Sequence, residues 1–169
     1  MTVSTDPVLL DNCAISACVA AGAWAALAAR YTLETVEEVE REATTGYQHR
    51  AIVPPAEFRK QVTIHAVSDA ARFEAQASHA ALATIDDGER DLWVHALARG
   101  GGWILCGPDI ASIKFGVLNG FQDRLISLEQ LLGDIGHKPR TKLPEHQTRK
   151  WLQALIGKIL MEEQFNRGR

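Results

Sequence analysis

The sequence predicts an α/β protein with a central, mainly parallel sheet. Short apolar runs alternate with longer helix-prone segments along the chain, which is typical of parallel strands connected by helices. The length of 169 residues fits one domain that buries a substantial core. A hydrophobic fraction of 46% and a charged fraction of 23% are ordinary for a globular protein.

The first four predicted elements alternate between strand and helix. Residues 7–11 are an apolar run too short for a helix, and they are predicted to form a buried strand. Residues 12–30 follow as a helix, because apolar side chains recur four residues apart on one face. Residues 31–35 are the second predicted strand, and a Glu-rich helix then covers 36–43 and ends near Gly46.

The middle of the chain is predicted to be helical. Pro55 suits a first helical turn, and residues 55–83 are Ala-rich and helix-prone, so they are predicted to form two helices that break near Ser68. The next helix opens at Glu89 and runs to about Arg99, where three successive glycines stop it.

Four short elements complete the predicted core. Residues 103–106 are the clearest strand, and residues 110–118 form the helix that follows. Residues 124–126 are predicted as a last short strand and 128–132 as a last short helix. The predicted domain therefore covers residues 1–133.

Residues 134–169 are predicted to be a basic linker, marked by two prolines, and a C-terminal helix over 147–164. From Lys138 onward the chain has eight Lys and Arg residues and three Glu residues. A solvated helix of mixed charge is favoured slightly over an RNA contact. The net charge of −3 for the whole chain argues against a simple nucleic-acid-binding module.

Four acidic residues lie where apolar runs give way to helices: Asp11, Glu42, Glu89 and Asp109. The carboxyl ends of parallel strands are where ligands bind in such folds. Carboxylates gathered there from separate segments repel one another unless a cation joins them, and oxygen-rich acidic clusters suit Mg²⁺ or Mn²⁺. The pattern predicts a metal site of the kind that hydrolyses phosphodiesters.

Each acid also has a simpler explanation as a helix cap, which is favoured when the residues are taken one at a time. Asp11 and Asp109 each precede a predicted helix. Two pairs have the spacing of a capping box, namely Asp86 with Glu89 and Thr35 with Glu38.

The capping argument selects among the acids of the second segment. A capping box accounts for Glu38, whereas Glu42 lies one turn further on the same helix face and is needed by no cap. Glu42 is therefore the predicted ligand, with Glu38 as second choice. The remaining acids of this segment are predicted to form a solvated face: Glu34, Glu37 and Glu40.

Histidine and cysteine predict no metal site of their own. The six histidines are scattered singly, without HxxxH or HxH spacing, so a zinc site is not expected. The three cysteines have neither ligand spacing nor even pairing, and they are predicted to be small buried residues in a reducing compartment, the cytoplasm. Residues 13–29 carry no charge but are too weakly apolar for a membrane span.

Five segments resemble, in order, motifs of the PIN-domain family of metal-dependent ribonucleases, which includes toxins of bacterial toxin–antitoxin pairs. The resemblance covers about residues 7 to 133. Its segments are 8–15 (VLLDNCAI), 39–46 (VEREATTG), 87–93 (DGERDLW), 104–109 (ILCGPD) and 123–128 (DRLISL).

The resemblance implies hydrolysis of RNA phosphodiesters, with Asp11, Glu42, Glu89 and Asp109 holding one or two Mg²⁺ or Mn²⁺ ions. It also implies that family's three-layer α/β/α fold, with helices on both faces of the sheet, and an antitoxin-like protein inhibitor as partner. The Ala-rich helical segments offer surfaces for such a partner or for a homodimer, although an internal core is favoured for most of these residues. Basic residues expected to attract RNA at the rim are Arg50, Arg59, Lys60, Lys114, Lys138, Arg140 and Lys142.

Two departures from the family pattern leave other functions open. Gly107 stands where the family has Ser or Thr, and no second Asp closely follows Asp109. These departures favour a catalytically inactive PIN-like binding module as the alternative. A different α/β family, with all four acids acting as caps, is a further alternative. Asp91 is a reserve ligand, and Asp86 and Asp87 are outer-shell or capping residues.

Overall fold

The structure is a computed structural model that describes residues 5–46 and 53–168. Each strand is followed by one or more helices along the chain. The elements are β1 (Val8–Leu10), α1 (Asn12–Ala20), α2 (Trp24–Ala28), β2 (Leu33–Val36), α3 (Glu37–Thr45), α4 (Pro55–Gln61), β3 (Val62–His65), α5 (Asp69–Ser78), α6 (Asp87–Arg99), β4 (Ile104–Cys106), α7 (Ile110–Leu118), α8 (Leu128–Asp134) and α9 (Arg149–Arg167).

The four strands form one parallel sheet in the order β3–β2–β1–β4. β1 lies inside the sheet, with Leu9 opposite Glu34 of β2 on one side and opposite Leu105 of β4 on the other. Helices flank the sheet, so the predicted α/β class with three layers and a mainly parallel sheet is confirmed. The strand predicted from the apolar run at 7–11 is present as β1. The run is apolar because all three residues of β1 are fully buried.

Aromatic packing joins α6 and α7 to β4. The ring of Trp93 meets Trp103 edge to face at a centroid distance of 5.7 Å and Phe115 at 5.0 Å. The indole N–H of Trp93 donates to the Ser112 hydroxyl at 2.8 Å, which satisfies its polar atom inside the core. These contacts hold α6, which precedes β4 in the chain, and α7, which follows it, against each other.

The prediction that residues 55–83 form only two helices is wrong, because the strand β3 lies within this segment at Val62–His65. β3 pairs with β2 along its whole length and forms one edge of the sheet. Its Val-Thr-Ile sequence favours a strand, but the Ala-rich flanks obscure so short a signal. The break near Ser68 is confirmed, since the Ser68 hydroxyl caps α5 by accepting from the N–H of Ala71 at 3.1 Å.

The predicted strand at 124–126 is also wrong. A 3-10 turn covers Gln122–Arg124, and Leu125 forms a single parallel bridge with Leu105 instead of a strand. The Arg124 guanidinium lies 4.9 Å from the centre of the Trp103 ring and donates to the Trp103 carbonyl at 3.2 Å. The segment thus closes the sheet edge beside β4 by side-chain packing more than by backbone pairing.

The predicted helix 12–30 is two helices, because Gly22 adopts a positive φ of 67° between α1 and α2. A Cβ on Gly22 would lie 2.8 Å from Cδ of Arg140, so the turn also makes room for the C-terminal segment. The N–H of Arg140 donates to the Ala21 carbonyl at 2.9 Å and holds that segment in place.

The C-terminal helix α9 packs on α7. Ile113 and Val117 of α7 form a small apolar cluster with Leu152 and Ile159 of α9. The predicted terminal helix over 147–164 begins slightly later and runs further, to Arg167. None of the helices in the described ranges combines the length and the apolar character that crossing a membrane requires.

Gly116 of α7 is expected to tolerate no larger side chain. A Cβ there would lie 2.8 Å from Cη2 of Trp93, so Gly116→Ala should lower the free energy of unfolding by about 1–3 kcal/mol despite its better helix propensity. Gly157→Ala in α9 is the matched control, because no described atom lies within 4 Å of its Cβ position. It should stabilise the protein by about 0.5–1 kcal/mol in urea unfolding. Equal effects at the two glycines would contradict the packing described here.

Candidate functional site

The crevice between the carboxyl ends of β1 and β4 is the point where the strand order of the sheet reverses. From β1 the chain moves outward through β2 to β3, and it then returns to the other side of β1 as β4. Ligands of open α/β sheets bind outside the strand ends at such a point. Asp11 follows β1 directly, and Asp109 follows β4 by three residues, so both lie at this crevice.

Asp11 is held rigidly at the end of β1. Its side chain is 1% exposed, and its Oδ1 accepts from the N–H of Ala14 at 2.6 Å, which caps α1. Its backbone N–H donates to the Cys106 carbonyl at 3.2 Å, across to the end of β4. The positive end of the α1 dipole favours the ionised carboxylate at this position.

Gly107 leaves the space into which the Asp11 carboxylate fits. A Cβ on Gly107 would lie 2.9 Å from Cγ and 3.0 Å from Oδ2 of Asp11, closer than side chains tolerate. The sequence has Gly here instead of the Ser or Thr of the family pattern, and the structure gives a steric reason for it. The Asp11 carboxylate occupies the position that a side chain at 107 needs.

Asp109 is the equivalent cap of α7. Its Oδ1 accepts from the N–H of Ser112 at 2.7 Å, and its side chain is half-buried. Both predicted caps, Asp11 and Asp109, are thus present in the structure. Each cap uses one carboxylate oxygen, and the cap explanation and a ligand role do not exclude each other.

Glu89 interacts electrostatically with two further acids of the predicted site, Asp109 and Glu42. Burial, together with the negative charges of Asp109, Glu42 and Asp86, raises the pKa of Glu89 to about 7, against a hydrogen bond from its own backbone N–H that lowers it. Glu42 reaches the same place from α3, since its Oε1 lies 3.6 Å from the Cβ position of Gly88. The three acids therefore share one electrostatic environment at the start of α6.

In the part of the chain that the structure describes, no three of the crevice carboxylates bring their oxygens within 4.8 Å of one another. Among the described residues, only Glu34, His65 and His95 bring three ligand atoms of separate side chains within 4.8 Å of one another. The donor chemistry of the acidic group nevertheless fits Mg²⁺ or Mn²⁺, because all its donors are carboxylate oxygens. Mg²⁺ usually keeps several waters and takes only one or two carboxylates directly, so a wider spacing is compatible with it.

The two predicted capping boxes are wrong. Asp86 is the N-cap residue of α6, but its side chain makes no cap hydrogen bond. Thr35 lies inside β2, where its hydroxyl donates to the Leu10 carbonyl at 2.7 Å, and the N-cap of α3 is Val36. Glu38 and Glu89 are therefore not explained as capping-box partners.

Other acids near the crevice are tied to arginines. The guanidinium of Arg41 hydrogen-bonds to Glu38, and this contact lowers the pKa of Glu38. The reserve ligand Asp91 is buried, and Arg72 donates to both of its oxygens at 2.8 and 2.7 Å. Asp87 is exposed and pairs with Arg90 at 2.9 Å. These ion pairs distinguish Glu38 and Asp91 from Glu89, whose pKa is raised by burial and by neighbouring carboxylates.

The predicted solvated face of Glu34, Glu37 and Glu40 is wrong for two of its three members. Glu37 is exposed, but Glu40 is buried and accepts from Arg59 at 2.6 and 2.9 Å. Glu34 is only 6% exposed, because it belongs to β2 rather than to the following helix and faces α6.

A cluster of Glu34, His65, His95 and Arg99 surrounds this buried carboxylate. Oε2 of Glu34 lies 2.7 Å from Nε2 of His65, 3.8 Å from Nε2 of His95 and 2.6 Å from Nη1 of Arg99. Burial, and next the neighbouring His65, lower the pKa of His95. The cluster was not predicted because its residue His65 is the last residue of β3, a strand that was not predicted either. The available signal was a charged residue inside a buried strand.

The predicted basic rim is distributed unevenly. Lys114 is exposed on α7, five residues after Asp109. Arg59 and Lys60 are engaged by Glu40 and Glu57 respectively, and Arg50 lies outside the described residues. The tail residues Lys138, Arg140 and Lys142 line a cavity of about 420 Å³ beside α8.

Comparison of the chain with models of known protein families finds no match, and comparison with curated proteins finds none. The resemblance to PIN domains therefore depends on the five sequence segments named above.

Replacing Glu89 is expected to change how stability depends on pH. The folded pKa of about 7 exceeds the ordinary value of 4.5, so the folded state holds the Glu89 proton more tightly than the unfolded chain. Stability should fall as pH rises between these two values and stay reduced above the higher one. Glu89→Gln should therefore gain about 1–2 kcal/mol over wild type on going from pH 5 to pH 8, after allowance for solvent screening.

Urea unfolding at both pH values, in the presence of a chelator, measures this difference. The exposed Glu57→Gln is the matched control and should show little change between the two pH values. A Glu89→Gln variant whose stability follows that of wild type at both pH values would contradict the electrostatic account.

Proposed function

We propose that this protein is a PIN-like, Mg²⁺- or Mn²⁺-dependent endoribonuclease. The observation that carries the proposal is the position of Asp11 and Asp109 at the switch point of the sheet, with Glu42 and Glu89 beside them. These acids come from four separate segments of the chain, and the sequence motifs that resemble PIN domains contain the same four residues.

The electrostatics of the crevice support a divalent cation. The raised pKa of Glu89 reflects burial together with the charges of neighbouring carboxylates, and this arrangement destabilises the ionised acids when no cation is bound. Asp11, Glu42, Glu89 and Asp109 would hold the ion. When bound, a divalent ion in such a site supplies an activated water and neutralises charge on the scissile phosphate.

The residues of the chain would position the RNA. The N-termini of α1 and α7 both open at the crevice, where helix ends favour a phosphate group. Lys114 lies on the exposed side of α7, one to two turns beyond Asp109, and offers a cation to the RNA backbone. The overall negative charge confines this attraction to the local surface.

An inactive PIN-like binding module is the second candidate. It is favoured by the dual use of Asp11 and Asp109 as helix caps and by Gly107, which provides no hydroxyl group beside the crevice. Metal affinity separates the two candidates. An antitoxin-like partner, a homodimer and a cytoplasmic location remain predictions.

Asp11→Asn and Asp109→Asn test the nuclease directly. Asn retains the oxygen that caps each helix, so thermal stability should change little, while loss of charge should reduce Mn²⁺ binding and RNA cleavage about 100-fold or more. Calorimetric Mn²⁺ titration and cleavage of a fluorescent single-stranded RNA measure both effects. Asp69→Asn, whose side chain is 100% exposed, is the matched control.

The outcomes of this experiment discriminate between the candidates. Joint loss of binding and cleavage in both variants, with Asp69→Asn unaffected, supports the nuclease. An absence of stoichiometric Mn²⁺ binding to the wild type would favour the inactive module. Cleavage that survives both substitutions would contradict the assigned site.

Gly107→Ala is expected to disturb the site through Asp11. The added Cβ would lie 2.9 Å from Cγ of Asp11, so the carboxylate must move and Mn²⁺ affinity should fall several-fold, with a loss of stability of about 1–3 kcal/mol. Gly101→Ala provides the control, because its Cβ would meet only the end of the Arg124 side chain, at 3.8 Å. Unchanged Mn²⁺ affinity in Gly107→Ala would remove Asp11 from the proposed ligand set.

A further inference from the structure

We propose that Glu34, His65 and His95 form a second metal site, specific for a late transition ion such as Zn²⁺. The three side chains come from β2, β3 and α6 and point their ligand atoms at one another, within 4.8 Å. This site shares no residue with the proposed nuclease site. His95 follows Glu89 by six residues on α6, which corresponds to about 9 Å along the helix axis.

The hydrogen-bonding requirements of the cluster are not met by protons alone. Nε2 of His65 reaches Oε2 of Glu34 at 2.7 Å, but Nε2 of His95 is 3.8 Å away, beyond hydrogen-bonding distance. That nitrogen is buried and has no hydrogen-bond partner among the described residues. A buried polar atom left in this state costs free energy, and native proteins rarely retain one without a reason.

The imidazole rings are already arranged as a pair of ligands. The rings of His65 and His95 stack with their centroids 4.0 Å apart and their planes 21° apart, which directs both Nε2 atoms to the same carboxylate. A cation that accepts a lone pair from each nitrogen and from the carboxylate would satisfy all three groups at once. Two protonated imidazoles at this separation would repel each other instead.

The donor set and its spacing fit zinc. Zn²⁺ binds imidazole nitrogen and carboxylate oxygen at roughly 2.0–2.2 Å in a tetrahedron, so ligand atoms lie about 3.3–3.6 Å apart. The distances of 2.7 and 3.8 Å from Glu34 Oε2 to the two nitrogens bracket this range, and shifts of less than about 1 Å would adapt them. Nitrogen donors select Zn²⁺ and its neighbours over Mg²⁺, which distinguishes this site from the acidic crevice.

Arg99 competes with the ion for the same oxygen. Its Nη1 lies 2.6 Å from Oε2 of Glu34, and its positive charge opposes a second cation nearby. Arg99 lies at the exposed end of α6, so its guanidinium is able to turn into solvent when an ion binds. Removing this guanidinium should strengthen metal binding, which an ordinary ion-pair cluster does not predict.

Binding of an ion here would tie the edge strand β3 to the rest of the domain. His65 is the last residue of β3, Glu34 lies in the neighbouring strand, and His95 belongs to the helix that packs over both. A ligand that binds only the folded state raises its stability. Zn²⁺ should therefore raise the melting temperature of the protein.

Titration of the untagged full chain with Co²⁺, followed by visible absorption, tests the proposal. Zn²⁺ affinity is then measured by competition with a chromophoric chelator. With excess Mg²⁺ present to occupy the acidic crevice, wild type should bind one Co²⁺ ion, and His65→Gln and His95→Gln should each weaken binding on the order of 100-fold. Arg99→Gln should strengthen it about tenfold. The exposed His146→Gln and the crevice variant Asp109→Asn are controls and should bind as wild type does.

The gain expected in Arg99→Gln protects the test against misfolded variants, because a damaged fold does not bind metal more tightly. Binding that survives either histidine substitution, or that is no stronger in Arg99→Gln, overturns the proposed site. Loss of Zn²⁺ binding in Asp109→Asn overturns it as well, since the ion would then belong to the acidic crevice. Failure of RNA cleavage has no bearing on this outcome.

Discussion

The enclosure of β1 between two parallel neighbours is the constraint on which the rest of the structure depends. All three of its residues are fully buried, and the strand pairs with β2 on one side and with β4 on the other. Because the strands are parallel, α1 and α7 both begin at the same edge of the sheet, beside the reversal of strand order. Each helix start needs an acceptor for its unpaired N–H groups, and Asp11 and Asp109 provide it. The need for caps therefore concentrates negative charge at the place where the fold leaves a crevice.

The acids around this edge divide into two groups by their electrostatic surroundings. Arg41 lowers the pKa of Glu38 through a hydrogen bond, and Arg72 holds both oxygens of Asp91. Burial raises the pKa of Glu89, and the charges of further carboxylates add to the shift. An acid paired with arginine contributes to the fold as it stands, whereas one that is buried among other acids is costly unless a cation or a proton arrives. This contrast is the physical reason why the proposed metal site includes Glu89 and excludes Glu38 and Asp91.

Local sequence predicted the features that depend on local rules. The apolar run before Asp11 and the one before Asp109 located β1, β4 and both caps, since burial and capping act within a few residues. β3 was not predicted because three β-branched residues are a weak signal between Ala-rich helices. Its formation as a strand depends on pairing with β2. The partners of Glu34 were not predicted either, because His65 and His95 meet this carboxylate only through strand register and the rotation of α6. The sequence position of Thr35 likewise resembled that of a capping residue, but in the structure its hydroxyl donates to the Leu10 carbonyl on the adjacent strand.

Helix α6 links the two candidate metal sites because it contributes a side chain to each. Glu89 lies in its first turn at the crevice, while His95 and Arg99 lie further along, over β2. The donor atoms separate the ions that each site prefers, with oxygen alone at the crevice and two nitrogens with one oxygen at the second site. A helix is stiff over this length, so an ion that fixes His95 against β2 and β3 would also fix the position of Glu89 relative to the sheet. The histidine cluster would then act on the crevice by holding one of its walls in place, without touching RNA or its metal.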